Sequence, residues 1–526
     1  MFDADPGYGD DDYGDQGYYG QDGYGPYGGY DPEDTYDGPL DDGGRGRRVF
    51  SMLLGGVAAL ALAGGGFLAY RVLTGGPDVT VADVTAVDQG SVRASLTQEE
   101  PPPASAGTDT SALDTTETSV ASQSVDTDPN LLWVDPVNGN EANDGQTRAT
   151  AWSSLQEAVD RLQPGQTLHL MSGRYTDVTK SDGFAHFLIL EGGTEDAWIT
   201  IKAAPGESPI VVATEGNAFG IKAPYVEIAD LEIVGEGFSA ENPYGWGVHV
   251  GQTHHVRIQG NRISQMPVGG VTTVDASNVE ILYNEVFENS FWGTEQGSGI
   301  SIWHARDLGF GPAEDGYHDV IVGNVVYRNE NKVFSRWWPG QNVITDGNGI
   351  IIDENDDTGY TGRILVANNL VFDNGGRGIL VNESSRVDIV HNTTYQNGRT
   401  EDLAGGPTEL AMARSAEVQF LNNVAWPRPG SQAINLKEAV GIVMGGNVFV
   451  TDRKPSAATE LDLVVSTDPG FRLATVDPAA ANFRPTSSSV LNGRAIPTSP
   501  HVPFDADLGP RPPSGGTVGA YEIVPQ

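Results

Sequence analysis

From residue 130 onward the apolar positions recur in two distinct patterns. One is an apolar strand opened by Gly: Gly247-Val248-His249-Val250, Gly299-Ile300-Ser301-Ile302, Gly349-Ile350-Ile351-Ile352 and Gly378-Ile379-Leu380-Val381. The other is an alternating strand that ends at Asn, as in Val279-Glu280-Ile281-Leu282-Tyr283-Asn284, Val320-Ile321-Val322-Gly323-Asn324 and Val387-Asp388-Ile389-Val390-His391-Asn392. A third short strand and a second Asn often follow, at Asn289, Asn329, Asn374 and Asn397. The main Asn recurs at 261, 284, 324, 369, 392, 423 and 447, with spacings of 23, 40, 45, 23, 31 and 24 residues. A basal period near 23 with three short strands per turn predicts the coil of a parallel β-helix. Stacking such coils ~4.8 Å apart buries their inward faces and pairs their backbones. An Asn at a fixed corner is expected to bond the Asn above and below it, and to take the left-handed turn there itself.

The pattern changes ahead of the repeat. Leu155, Ala158, Val159 and Leu162 fall at helical spacing between Ser154-x-x-Glu157 and Pro164-Gly165. This predicts a short amphipathic helix over 153–162 that lids the first coil and protects its unpaired edge. Further upstream, Val49 to Tyr70 carries no charge, and its 22 residues match the ~20 needed to cross a bilayer. Arg45, Arg47 and Arg48 precede it, so the N-terminus is expected in the cytoplasm and the span is read as an uncleaved signal-anchor. Gly55, Ala59 and Ala63 offer a small-residue face for weak dimerisation of the span.

Composition divides the rest. Residues 1–48 form an acidic Gly/Tyr-rich tail and 71–129 a Ser/Thr/Pro-rich linker, neither able to bury a core. The expected domains are therefore tail 1–48, span 49–70, linker 71–129 and an all-β domain 130–526. With 30 Lys+Arg against 71 Asp+Glu the net charge is −41, which excludes a basic nucleic-acid binder. The absence of Cys excludes disulfides, thiolate metal sites and a Cys nucleophile.

Both ends of the 130–526 region resemble a known superfamily. Trp133-Val134-Asp135-Pro136, Asn143-Asp144-Gly145, Ala151-Trp152-Ser153-Ser154-Leu155 and Gly173-Arg174-Tyr175 look like the opening segment of secreted right-handed β-helix proteins of the pectin-lyase-like superfamily. Asp468-Pro469-Gly470-Phe471, Asp507-Leu508-Gly509-Pro510-Arg511-Pro512 and Gly519-Ala520-Tyr521-Glu522 look like their closing segment. The resemblance implies a right-handed helix and, among its lyases, hydrolases, epimerases and inactive members, favours β-elimination on a uronate-containing polysaccharide.

Candidate chemistry gathers at the two inflated coils, whose insertions run from His304 to His318 and from Glu330 to Thr345. Long loops on a compact solenoid usually serve a function. Strand alternation puts Trp303, Asp353 and Asn382 in one outward column, with Lys437 further along, and Asn348 beside Arg377 just before the Gly corner. Asp353, Arg377 and His304 are the catalytic candidates. Trp303, Lys332, Trp337, Trp338, Asn348 and Asn382 are the substrate-binding ones. Asp346, Asp356 and Asp357, with Glu354, are candidate oxygen ligands for Ca²⁺, the one cofactor suggested. Asp353 with one of Asp346, Asp356 or Asp357 serves equally as a carboxylate pair for glycoside hydrolysis, and the acids together read as well as a solvated acidic turn. Asp388 reads as an exposed acid outside the site. Three readings stay open: a lyase, a hydrolase, and a non-catalytic polysaccharide-binding or export-associated module, each held outside a bacterial cell membrane by the span.

Overall fold

The computed structural model describes residues 128–176, 184–309, 316–338 and 340–523. The tail 1–48, the span 49–70 and nearly all of the linker 71–129 lie outside these residues. Among the described residues, no helix is long and apolar enough to cross a membrane.

Each turn of the chain lays one strand on each of three sheets. His254–Gln259 lies in sheet A, Arg262–Ser264 in sheet B and Gly269–Val274 in sheet C. Ser277–Leu282 then returns to sheet A, pairing in parallel with the starting strand so that Val256 faces Val279. Among the described residues, repetition gives sheets A and B of 11 strands each and sheet C of 9. Alternation sends Ile300, Ile302, Ile350, Ile352, Ile379 and Val381 into one continuous core, all at full burial.

The Gly that opens each sheet C strand sits at a corner without room for a side chain. A Cβ on Gly349 would lie 2.2 Å from Val371 Cγ1 and 3.0 Å from Asn374 Nδ2. Two Asn ladders run along the stack, the first at the corner between sheets A and B and the second beside this Gly corner. Asn261 Nδ2 donates to Asn284 Oδ1 at 3.1 Å, and the chain of donors continues through Asn324, Asn369, Asn392, Asn423 and Asn447 to Asp462. The second ladder runs from Asn289 through Asn329, Asn374 and Asn397 to Glu409. The last amide of each ladder donates to a carboxyl oxygen, of Asp462 in the first and Glu409 in the second. One expectation is corrected: the left-handed residue is the one before the ladder Asn. Tyr283, Asn368, His391 and Asn422 have φ of 53, 57, 59 and 58°, and turn the chain so that the following Asn points its amide along the stack.

The capping helix is shorter than expected, at Leu155–Val159. Ser154 accepts from Glu157 N at 3.3 Å, while the Glu157 side chain turns to Arg161 at 3.0 Å instead of back to the cap. Buried Gln156 does the lidding. Its amide accepts from Leu188 N at 2.7 Å and donates to Leu188 O at 3.0 Å, standing in for a missing neighbour at the edge of sheet C.

At the far end the chain folds back over the coil. Val502 and Leu508 cover Leu282, Val320 and Leu365 on the outside of sheet A. Phe471, Phe483, Leu491 and Tyr521 cover Tyr327, Phe372 and Tyr395 on sheet B. Neither cluster reaches the outside of sheet C, where Ile351, Leu380 and Ala411 form a separate apolar strip.

Candidate functional site

The outer face of sheet C lies between two walls of loops. On one side Ala404 N donates to Ile344 O at 2.8 Å, joining the 330–348 insertion to the 399–407 loop. On the other side Ala305 N donates to Asn355 Oδ1 at 2.7 Å, and Thr361 Oγ1 to Asp307 Oδ2 at 2.7 Å. The floor between them is the strip Ser301, Ile351, Leu380 and Ala411.

Along one margin of this floor the register aligns Trp303, Asp353, Asn382, Ala413 and Lys437. Asn382 Nδ2 donates to Asp353 Oδ1 at 2.8 Å, and Arg414 Nη2 donates to Asn382 Oδ1 at 3.0 Å. Burial, then the charges of Asp346 and Glu354, push the Asp353 carboxyl well above the usual carboxylate range, and the Asn382 bond only partly offsets them. Asp353 is thus a partly exposed acid hemmed in by protein and by other carboxylates. Glu354, the next residue, turns the opposite way. It accepts from Trp303 Nε1 at 2.9 Å and lies 3.2 Å from His304 Nε2, while the Trp303 and His304 rings stack 4.2 Å apart. The His304 bond outweighs burial and, with that of Trp303, holds Glu354 below its ordinary range.

Along the opposite margin stand Asp346, Asn348 and Arg377. Asn348 Nδ2 donates to Asp346 Oδ1 at 2.7 Å, and Asn348 Oδ1 accepts from Arg377 N at 2.8 Å. Burial pushes Asp346 up to about 6 against its bond from Thr345 and the nearby charge of Arg377. The Arg377 guanidinium is only 9% exposed and donates to the carbonyls of Thr345, at 3.1 Å, and Ala404. It therefore clamps two wall loops together.

The other candidates lie further out. Trp337 and Trp338 are 57 and 51% exposed on the insertion, with Trp337 Nε1 donating to Glu295 O at 3.3 Å. Lys332 is exposed, its Nζ 4.2 Å above the Phe291 ring. Asp356 and Asp357 face solvent, and Asp356 accepts from Ser385 Oγ at 2.9 Å. Among the described residues no three His, Asp or Glu side chains converge as a metal cage. Asp388 is corrected: it points away from the coil yet is 1% exposed, bound bidentately by Arg363 and accepting from Tyr317 Oη at 2.7 Å.

Two groups were missed in the sequence, Glu383 and Arg414. Both sit just past a strand end, in left-handed turns with φ of 45 and 48°, where alternation no longer assigns a face. They form an ion pair beside Asn382, and the charge of Glu383 adds to the upward pressure on Asp353.

Parallel strands stacked turn upon turn in three sheets decide the architecture. The fold is a right-handed parallel β-helix. No family model matches the chain, and no curated relative does. Among solved structures it is similar to pectate lyase Pel9A, at 16% identity, covering 74% of this chain and 96% of that one with a TM-score of 0.46. A rhamnogalacturonan lyase follows at 14%, 63%, 90% and 0.44. An alginate lyase from Paenibacillus sp. str. FPU-7 matches at 15%, 59%, 96% and 0.33.

On this β-helix the chemistry available is acid–base. A carboxyl whose proton affinity is pushed up and a carboxylate whose proton affinity is held down occupy neighbouring positions at one margin of this face. Such a divergence separates acid from base among like groups.

Proposed function

We propose that the protein hydrolyses glycosidic bonds of an extended polysaccharide bound in the groove over sheet C. The observation that carries this is the opposed tuning of Asp353 and Glu354. Asp353 donates its proton to the glycosidic oxygen as the bond from that oxygen to the anomeric carbon breaks. Glu354 stabilises the positive charge on the sugar, and a water completes the reaction by giving hydroxide to the anomeric carbon and a proton back to a carboxylate. Asn382 orients Asp353, Arg377 shapes the wall, and the exposed Trp337 and Trp338 offer faces to sugar rings. The uncharged run at 49–70 supports attachment of this domain to a membrane.

A second reading, β-elimination on a uronate, draws on His304. Backed by Glu354, its imidazole has the arrangement of a supported base. Protonated Asp353 and Asn382 would then donate to the sugar carboxylate. Galacturonan, alginate and xylan incubated with the full chain separate these readings. Hydrolysis releases reducing ends without ultraviolet absorbance, elimination releases both, and a binding module releases neither.

A further inference from the structure

The outer face of sheet C continues past the candidate site toward the first coils. The register carries the floor from Ile351 and Ser301 through Thr272 to His249 and Gly220. There the polar floor meets an aromatic cluster. Phe184 lies over Gly220, where a Cβ would come within 2.7 Å of its ring. His249 is held edge-on between Phe184, at 5.0 Å, and Trp246, at 5.6 Å, and Tyr244 stands perpendicular to Trp246 at 5.3 Å. Lys222 Nζ sits 4.6 Å above Phe184. Phe184 and His249 are buried supports, whereas Trp246 and Tyr244 are half-buried and present ring surface. His249 is 9% exposed, and its Nδ1 has no hydrogen-bond partner among the described residues.

We infer that Trp246 and Tyr244, backed by His249 and Phe184, form a second sugar-binding station on the track that carries Asp353. The inference rests on the proposed polysaccharide reading and deepens it. The Trp246 and Ile350 strands are three pairings apart, so the station lies ~14 Å along the axis from Asp353. Only an oligosaccharide long enough to bridge that distance occupies both. Rings offering apolar faces with a nearby imidazole suit the amphipathic faces of a sugar.

The test uses the full chain carrying Asp353→Asn, with galacturonan, alginate and xylan supplied as disaccharide and hexasaccharide, and calorimetric affinities. The hexasaccharide of one polymer is expected to bind about tenfold more tightly than its disaccharide, and Trp246→Ala to remove most of that ratio while sparing the disaccharide. Trp246→Phe, which keeps a ring, should retain the ratio, and unchanged melting temperatures exclude misfolding as the cause. A ratio untouched by Trp246→Ala, or no preference for any hexasaccharide, overturns the station. If the station binds but the unmutated chain releases no reducing ends, the hydrolase reading fails alone.

Discussion

Asn382 and Asp353 are register partners on adjacent strands of sheet C, and the Asn382 amide donates to the Asp353 carboxyl at 2.8 Å. Among the described residues, this is the one side-chain hydrogen bond that favours the ionised form of a group otherwise driven to hold its proton by burial and by neighbouring carboxylates. The balance makes Asn382 a tuning residue for the acid.

Replacing Asn382 by Leu removes that donor and should raise the proton affinity of Asp353 further. For an enzyme that needs Asp353 protonated, activity is lost as pH rises through its pKa, so the alkaline limb of the pH–rate profile moves to higher pH. A limb that stays in place, or moves down, contradicts the assignment of Asp353 as the acid.

Gly349 is a steric requirement. Gly349→Ala puts a Cβ 2.2 Å from Val371 Cγ1, so the corner has to shift at a cost of about 1–3 kcal/mol. Denaturant melts should report this as a lower midpoint with an unchanged slope. Full tolerance would mean that the Gly repeat has another origin.

Gln156 seals the edge of sheet C. Gln156→Leu keeps the volume but strips both bonds from Leu188, leaving a partly buried backbone donor and acceptor, at a cost of up to about 1 kcal/mol for each. Because a free parallel edge is a template for pairing, the variant should also aggregate faster on mild heating, read by light scattering. Unchanged stability and scattering would mean that the lid does not depend on Gln156.

Stability should fall as pH rises from about 4.5 to 8. Burial raises Glu409 from 4.5 to about 8, so the folded chain keeps a proton there that the unfolded chain has lost. The contribution is complete below the unfolded value and gone above the folded one. Asp319 and Asp346, each raised to about 6, act in the same direction over the lower part of the window. Glu409→Gln should flatten the decline between pH 6 and 8, whatever its absolute stability. An unchanged slope in melting temperature against pH would contradict this.

The coil was legible because three independent signals coincide at each turn: a Gly where a Cβ cannot fit, inward Ile and Val, and an Asn whose amide reaches the next rung. The column of Trp303, Asp353 and Asn382 followed from alternation alone. Alternation gives direction from the coil axis, not exposure, which is why Asp388 was misjudged: Tyr317 and Arg363 close over it from strands 71 and 25 residues away. It also ends where a strand ends, and so passes over Glu383 and Arg414 in their turns. Arg377 was placed in the correct column beside Asn348, yet its guanidinium follows two loop carbonyls whose positions no local pattern encodes.

The central claim is that a protonated Asp353 performs hydrolysis in the groove over sheet C. The most direct measurement is the rate of reducing-end release without ultraviolet absorbance, the signature of hydrolysis, by the full chain from galacturonan, alginate and xylan, comparing Asp353→Asn with Glu460→Gln. Glu460 is a 99% exposed acid on the loop between Lys454 and Asp462. The account predicts that the unmutated chain and Glu460→Gln release reducing ends from one of these polymers at equal rates. Asp353→Asn should lose at least about a hundredfold in rate with its melting temperature preserved. Equal rates for Asp353→Asn and Glu460→Gln would contradict it.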